Sequence, residues 1–439
     1  MHRRIMLAAA LALAPLAAVS AQLGSYNPEP GPRATVVIRN ARIFPVSGPV
    51  IPNGSLVIAD GVIRAVGVDV DVPAGAEVID ATGLSVYPGM MESVSTLGLS
   101  EIAQGANATR DQSETGRFNP NAQALWGINP HSAHIGVSRV VGITHAVSAP
   151  SGGIVSGQAA LINLGGFTAR GMAVVPDLAL MISLPSQGGG GFGFGGGRFG
   201  GGQGGNAEQA RTAALDSLER LLDDAVAYGK AVDAANTPRP ASDVILAALV
   251  PAVRGEMPVG FRAESQQDIR AAVEFAEKRG LKPVIVGGRD SWRIADYLKE
   301  HDVPVLFTAT MSIPNRDDDP YDANYAAASK LAAAGVRFAI SSGEDDPDIR
   351  NLPYVAGMAA AFGLGHDAAL RAVTLSPAEI FGVADRLGSL EVGKVANVVV
   401  TNGDILEART DTKYLFIDGR PVPLDTKHSE LYEMFKDRR

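Results

Sequence analysis

Cysteine is absent from the 439 residues, and this absence excludes disulfide bonds, thiolate metal ligands and cysteine nucleophiles. No basic tract stands out, and the net charge is -9 with a pI near 5.4. Because neutralising phosphates requires a concentrated cationic surface, we expect no nucleic-acid partner. The residues that are present, 46% hydrophobic and 19% charged, are typical of globular protein with one large and one smaller domain.

The N-terminus has the pattern of a cleaved signal peptide over residues 1–21. Positive charge in residues 1–4 precedes an almost wholly apolar run over 5–19, and small residues follow up to Ala21. A membrane anchor is the alternative, but about 15 apolar residues fall short of the ~20 that a membrane span requires. No later segment is apolar for long enough to cross a bilayer. We therefore predict export to a periplasm or the cell exterior, with cleavage near Ala21 and a linker over 22–33.

Both ends of the remaining chain are rich in β-forming residues. Asp60-Gly61 lies between two alternating apolar runs, which is a strong hairpin signal. We predict strands over 34–44, 54–67, 396–400 and 414–419. They are expected to form one small β-sandwich domain from residues 34–86 and 390–424, followed by a C-terminal tail over 425–439. Two unrelated β appendages are the alternative, and they would leave more strand edges exposed.

The middle of the chain alternates between strand and helix patterns. Residues 257–263 read as a strand, and Ser265 then caps a helix that closes at Gly280. Further strands are predicted over 283–287, 304–307 and 336–340, with helices between them. Such βα units imply a parallel sheet with covered faces, either closed into a barrel or open and doubly wound.

A glycine-rich segment over 188–205 interrupts this rhythm. Its composition cannot bury enough apolar surface to offset the entropy of ordering, so we predict a disordered surface insertion. A partner-binding loop that uses Phe192, Phe194 and Phe199 is the alternative interpretation.

Two series of residues resemble a known family. Residues 88–96, Pro-Gly-Met-Met-Glu-Ser-Val-Ser-Thr, follow an extended apolar run, and the series 375–382, 386–397 and 402–404 comes near the end of the chain. Together they resemble the amidohydrolase superfamily in its imidazolonepropionase-like branch. This resemblance implies a (β/α)8 TIM-like barrel over 87–389, with function at the carboxyl ends of the strands. Family members usually bind zinc or another divalent metal.

The residues at the family's metal-ligand positions are not metal ligands in this chain. The first strand of the family ends in two histidines, and these positions fall on Val94 and Thr96. The two later histidines fall on Arg262 and Gly287, and the metal-binding aspartate falls on Gly343. Zinc favours Cys, His and carboxylate ligands, whereas an arginine repels a cation. We therefore expect no metal and no other cofactor.

Other residues could rebuild a site, and each group has an ordinary explanation. His131 and His134 could share a helix face with His145 nearby, but no carboxylate completes the set, so loop histidines are the simpler interpretation. Acidic groups at 317–322 and 344–348 could ligate a hard cation or could be solvated loop charges. No histidine is placed by sequence to activate the serines near strand ends, which are Ser93, Ser95, Ser341 and Ser342.

The sequence therefore predicts an exported protein of the amidohydrolase family that binds a small ligand or a partner and has lost its metal site. We expect Arg262 to replace the metal's charge, pairing with Glu92 or Glu344 or receiving a ligand carboxylate. No catalytic residue can be assigned. The candidate ligand-binding residues are Glu92, Thr96, Arg262, Glu264, Glu344 and Asp345.

Two further points remain open at the level of sequence. The partner could be a second copy of the chain or a metal-bearing relative. The alternative function is an active hydrolase of carbon–nitrogen bonds in cyclic amides or small dipeptide-like substrates, using an oxygen-rich metal site or none.

Overall fold

The computed structural model describes residues 30–102, 107–186, 205–234, 240–314, 316–344 and 346–438. The predicted signal peptide, most of the predicted linker, residues 188–204 of the glycine-rich insertion and Asp345 lie outside these ranges. Two eight-stranded sheets organise the described residues. None of the helices in this part of the chain is long and apolar enough to span a membrane.

The first sheet is built from both ends of the chain, as the sequence predicts. Its strands are β1 (Val36–Ile43), β2 (Ile51–Ala59), β3 (Val62–Gly67), β4 (Glu77–Asp80), β5 (Ser85–Pro88), β14 (Val398–Thr401), β15 (Thr412–Ile417) and β16 (Arg420–Pro421). They are ordered β16-β15-β14-β5-β1-β2-β3, with β4 also paired to β1. The Asp60-Gly61 hairpin is confirmed, because β2 and β3 are antiparallel.

This sheet curls back on itself around a core of its own. A bridge between Val62 and Val395 joins the β3 edge to the segment before β14. The enclosed apolar cluster includes Ile38, Ile58 and Val398, all fully buried. We call this unit the composite sheet, because residues from both chain ends pair directly in it through β5 and β14.

The second sheet is a nearly closed barrel that matches the predicted TIM-like architecture. Its strands, in spatial order from one edge to the other, are β6 (Met90–Ser95), β7 (Ile143–Ser148), β8 (Val155–Asn163), β9 (Ala173–Ile182), β10 (Pro258–Ala263), β11 (Lys282–Gly287), β12 (Val305–Phe307) and β13 (Phe338–Ile340).

One strand departs from the parallel pattern of a (β/α)8 barrel. β8 pairs antiparallel with both β7 and β9, whereas the other neighbouring strands are parallel. The short connection 149–154 explains the difference, because a parallel crossover needs a dozen or more residues and an antiparallel hairpin does not.

Helices alternate with the parallel strands of the barrel, and further helices follow the last barrel strand. They are α1 (Ala124–Gly127), α2 (Ala133–Arg139), α3 (Ala169–Met172), α4 (Gly205–Asp233), α5 (Val244–Val253), α6 (Gln266–Arg279), α7 (Ala295–Glu300), α8 (Ala327–Ala333), α9 (Leu352–Ala359), α10 (His366–Ala372), α11 (Leu375–Ile380) and α12 (Lys427–Phe435). The predicted caps of α6 are confirmed: Ser265 accepts from the Asp268 N–H, and Gly280 is left-handed. The last helix, α12, lies in the predicted C-terminal tail.

The composite sheet packs against the amino-terminal end of the barrel strands. One apolar cluster joins Met90 and Ile143 of the barrel to Val399 and Ile417 of the composite sheet. Gly89 makes the junction between the sheets possible, because a Cβ there would lie 2.1 Å from the Thr144 hydroxyl. The carboxyl ends of the parallel strands are left at the other end of the barrel, which we call the mouth.

Candidate site at the barrel mouth

Side chains close the seam between the first and last barrel strands. Ser342, just after β13, donates to the Glu92 carboxylate from its hydroxyl at 2.5 Å and from its N–H at 3.1 Å. The Ser341 hydroxyl donates to the Val94 carbonyl at 3.2 Å. Thr96 then donates to the Glu344 carbonyl, from its hydroxyl at 2.9 Å and from its N–H at 3.0 Å. Predicted site residues Glu92, Thr96 and Glu344 therefore meet at one seam.

Glu92 is a wholly buried carboxyl group. Its burial raises the pKa of Glu92 to about 7, and the hydrogen bonds from Ser341, Ser342 and the Val94 N–H limit the rise. At neutral pH, therefore, the carboxyl group is shared between its neutral and ionised forms. One carboxylate oxygen accepts from Ser342 across the seam and the other from the Val94 N–H of its own strand, so Glu92 is the acceptor that holds β6 to the residues after β13.

Val94, where the resemblance predicts a metal-binding histidine, contributes apolar packing. Its side chain is 1% exposed and belongs to the apolar cluster that fills the barrel. The strand is irregular between Glu92 and Ser95, where its register against β7 shifts. Because of this shift, Ser93 and Val94 line the same interior space, and the simple alternation of faces expected from the sequence fails here.

Arg262 forms the predicted ion pair, and its partner is Glu344. Its Nε donates to a carboxylate oxygen of Glu344 at 2.8 Å, and one Nη donates to the Pro150 carbonyl at 2.9 Å. The other nitrogen, Nη1, is buried and has no hydrogen-bond partner among the described residues. Since Glu344 also binds Thr96, one guanidinium connects the ends of β10 and β13 with the loop after β7. Arg262 forms no ion pair with Glu92, the other predicted partner, in the described part of the chain.

Glu264 lies one position beyond β10, beneath a glycine of the next strand. A Cβ on Gly287 would lie 2.4 Å from a Glu264 carboxylate oxygen, so only glycine allows this approach. The Arg289 N–H donates to the same carboxylate at 3.0 Å. Although much of the residue is exposed, its carboxyl is sheltered against the backbone, and this desolvation raises the pKa of Glu264. A histidine at position 287 would displace this carboxylate.

The donor set at the mouth does not fit a catalytic divalent ion. Val94 has no lone pair, Arg262 is a cation, and the Thr96 hydroxyl is turned toward a carbonyl. Gly343 offers no side chain, and its φ of 119° disfavours any residue that has one. In the described residues no group of three His, Asp or Glu side chains could hold a metal.

Within the ranges that the structure describes, the histidines and acidic loops do not rebuild a centre. His134 contacts the Glu101 carbonyl, His131 packs on Phe167, and His145 is buried near the start of β7. Burial lowers the pKa of His145 to about 3, so it is neutral. Asp319 pairs with Arg293. Of the second acidic group, Asp345 lies outside the described residues and Asp348 is exposed.

Three residues at the mouth make contacts that the sequence analysis does not predict. Ser342 was considered only as a nucleophile, yet it is the donor to Glu92. Pro150 accepts from Arg262, and no pattern in the sequence signals this contact. Asp290 is 5% exposed and accepts from Arg316 at 3.0 Å, which fixes the loop after β12 at the rim. Its position after Gly287 and Gly288, at the end of β11, is the signal that could have identified it.

Comparison with known proteins agrees with this fold. Residues 272–422 match the amidohydrolase family model. An amidohydrolase from Thermotoga maritima is 23% identical with a TM-score of 0.78, covering 88% of this chain and 99% of its own. No curated protein matches the sequence.

Two further solved structures are more distant. A prolidase complexed with N-methylphosphonate-L-proline is 18% identical with a TM-score of 0.55, over 89% of this chain and 99% of its own. A molinate hydrolase is 17% identical with a TM-score of 0.54, over 89% and 95%. At these identities the likeness establishes the fold alone.

Proposed function

We propose that this chain is a member of the amidohydrolase superfamily, in its imidazolonepropionase-like branch, that has lost metal-dependent hydrolysis and acts as a ligand-binding or partner subunit. The match over residues 272–422 and the resemblance of residues 88–96 and 375–404 support the assignment. The Arg262–Glu344 ion pair is the observation that carries the functional proposal.

The ion pair supports this function because it connects residues from several strand ends, as a bound metal ion would. A catalytic ion joins side chains from several strands and also activates water. The Arg262 guanidinium joins β10, the loop after β7 and the residue after Gly343. A guanidinium cannot bind and ionise water as a metal does, so the connection between strands is kept and the nucleophile is not.

Metal content is the decisive test of this proposal. The full-length chain, purified without chelators and then dialysed against zinc and manganese, is expected to retain far less than one ion per chain by elemental analysis. One tightly bound ion per chain would overturn the proposal. This result would favour the alternative function, an active hydrolase of cyclic amides or dipeptide-like substrates. Loss of substrate turnover on addition of a chelator would favour it further.

The partner role has a separate test. Light scattering during size-exclusion chromatography measures whether the chain associates with itself, and co-expression with a metal-bearing amidohydrolase relative measures pairing. We expect one of these assemblies or a saturable small-molecule ligand. A monomer that binds neither a relative nor any compound in a panel of cyclic amides and dipeptides would contradict the proposal.

We also propose that the chain is exported. The charged, apolar and small-residue sequence of residues 1–21 supports this proposal. N-terminal sequencing of the protein from a periplasmic fraction is expected to begin near Gln22. Recovery of an intact N-terminus from the cytoplasm would contradict it.

A further inference from the structure

The loop after β12 presents apolar side chains at the rim of the mouth. Met311, Ile313 and Tyr321 are each more than half exposed. Single exposed apolar residues are ordinary on a protein surface, but three within one short loop concentrate apolar surface where a partner can cover it. We call residues 311–322 the rim loop.

Polar contacts hold the rim loop in this exposed conformation. The Asn324 side chain, which is 4% exposed, donates to the carbonyls of Ser312 and Ile313 at 3.0 Å each. Arg316 donates to the buried Asp290 at 3.0 Å. Because these contacts fix the backbone, the apolar side chains are already arranged for a partner, and little ordering entropy is lost when one binds.

The rim loop is also acidic. It contains one arginine and four aspartates. Arg316 and Asp319 are already paired within the chain, with Asp290 and Arg293. Asp317 and Asp318 are exposed, and neither forms an ion pair within the described residues. A surface of this kind is complementary to a partner that combines apolar side chains with positive charge.

The C-terminal helix α12 has these complementary properties. None of its residues is buried, and Tyr432 and Met434 are each more than half exposed. Leu431, Met434 and Phe435 recur at helical spacing and therefore share one side of the helix. The Arg438 guanidinium lies over the Phe435 ring, with its Cζ 4.3 Å from the ring centroid. The apolar side of α12 thus carries a cation that forms no ion pair within the described ranges.

The two surfaces belong to opposite ends of the molecule. The rim loop follows the carboxyl end of β12, at the mouth. α12 follows β16 of the composite sheet, and Val422 and Leu424 between them pack on the apolar cluster at the amino-terminal end of the barrel. One chain therefore cannot bring its own α12 to its own rim loop, whereas a second copy can. Such a contact joins two different patches and is heterologous.

We propose that α12 of one copy docks on the rim loop of a second copy, with their apolar sides in contact and Arg438 beside Asp317 and Asp318. The inference rests on the partner role proposed above and names a second copy as the partner. Each side offers few side chains, so we expect an interface below about 1,200 Å² and weak association. An anionic membrane suits α12 less well, because the net charge of the chain is -9.

Sedimentation velocity of the full-length protein measures the association. We expect the average mass to rise between about 1 and 100 μM protein, and to rise less at high salt, which screens the charges. Ile313→Asp and Phe435→Asp each place a carboxylate in one of the two surfaces and should weaken association roughly tenfold or more. Both positions are exposed, so each variant should keep the wild-type Tm.

Val68→Asp is the matched control. It introduces the same charge at an aliphatic residue that is 67% exposed after β3 and belongs to neither surface. This variant should associate as the wild-type protein does.

Mixing the two variants tests the pairing of the surfaces directly. Ile313→Asp retains an intact α12, and Phe435→Asp retains an intact rim loop, so a mixture contains both halves of one contact. We expect an equimolar mixture to form a heterodimer, which neither variant forms with itself. An isologous contact would not be restored by mixing, because both of its halves are the same patch.

Three results would overturn the proposal. The first is a wild-type protein that stays monomeric over the whole concentration range. The second is wild-type association in either variant, or a mixture that does not associate. The third is binding to phosphatidylglycerol vesicles that Phe435→Asp abolishes, without self-association, since α12 would then be a membrane-binding helix. None of these measurements concerns metal content, so this contact and the loss of the metal site can fail separately.

Discussion

Apolar packing stabilises one end of the barrel, and polar side-chain contacts stabilise the other. At the amino-terminal end, Met90 and Ile143 share a continuous apolar cluster with the composite sheet. At the mouth, a few polar side chains join the strand ends: Glu92 with Ser342 joins the first strand to the last, and Arg262 with Glu344 joins β10 to the residues after β13. Apolar packing does not depend on protonation, whereas the polar seam does. The difference predicts that a change of pH weakens the mouth more than the amino-terminal end.

The apolar end should show the largest loss on truncation. Met90 is fully buried, so Met90→Ala removes most of a packed side chain and leaves a cavity, at a cost of about 2–5 kcal/mol. Urea unfolding measures this free energy. Met434→Ala is the control, because Met434 is 59% exposed on α12 and should change stability by less than about 0.5 kcal/mol. Equal losses in both variants would contradict the apolar role of this end.

The seam should make stability depend on pH through Glu92. Its pKa is raised to about 7, so the folded state binds this proton more tightly than the unfolded chain does. The folded protein therefore loses stability as pH rises from about 4.5 to 7, by roughly 3 kcal/mol in total. Glu92→Gln should flatten this part of the profile of unfolding free energy against pH. Glu430→Gln, an exposed change on α12, should leave the profile intact.

The Arg262 ion pair should contribute less, because both partners are partly exposed. Arg262→Met leaves the Glu344 carboxylate and the Pro150 carbonyl without their donor, at a cost of about 1–2 kcal/mol. Amide hydrogen exchange should rise roughly tenfold at residues 149, 151 and 342–344, since 1.4 kcal/mol corresponds to tenfold. Arg279→Met matches Arg262 in exposure, 17% against 16%, and should leave exchange at the mouth unchanged. If hydrogen exchange at the mouth is unchanged in Arg262→Met, Arg262 does not stabilise the strand ends there.

His366 provides the smallest test, at the contact between α10 and the loop before β15. The hydrogen bond to Asp404 raises the pKa of His366, and burial opposes the rise. The protonated pair stabilises the fold fully below pH 6.5, and this contribution is lost as pH rises through the raised pKa. His366→Gln should cost under about 1 kcal/mol at pH 6 and still less at pH 8.5, measured by urea unfolding, because His366 is partly exposed. His428→Gln, exposed on α12, should show no such difference.

Local signals account for the parts of the fold that the sequence predicted well. Asp60-Gly61 specifies a tight turn, and Ser265 and Gly280 specify the two ends of α6. The antiparallel β8 could not be predicted, since a fully buried run such as Val155–Asn163 has no periodicity that reveals strand direction. Its direction follows from the length of the connections and from the neighbours with which it pairs.

In the candidate site, too, the sequence shows which side chains are present, whereas the tertiary structure decides which of them pair. That Val94, Arg262 and Gly343 stand where the resemblance predicts metal ligands can be read directly from the sequence, because it concerns only which side chains are present. From the sequence alone, Arg262 could pair with either of two acidic residues, Glu92 or Glu344. The tertiary structure decided between them, because the oxygens of Glu92 already face Ser342 and the Val94 N–H, whereas the Glu344 carboxylate reaches across to β10.

By itself, the sequence determined that the chain has no cysteine and a net charge of -9, and it predicted side chains other than histidine at the metal-ligand positions of the resemblance. Composition and motif identity are local properties, so one chain is enough to read them. Only the tertiary structure decided which groups pair, because residues 82 positions apart along the chain pair at the mouth, and strands from both chain ends pair in the composite sheet. Burial then shifted the ionisation of both groups, because it raises the pKa of Glu92 to about 7 and keeps His145 neutral.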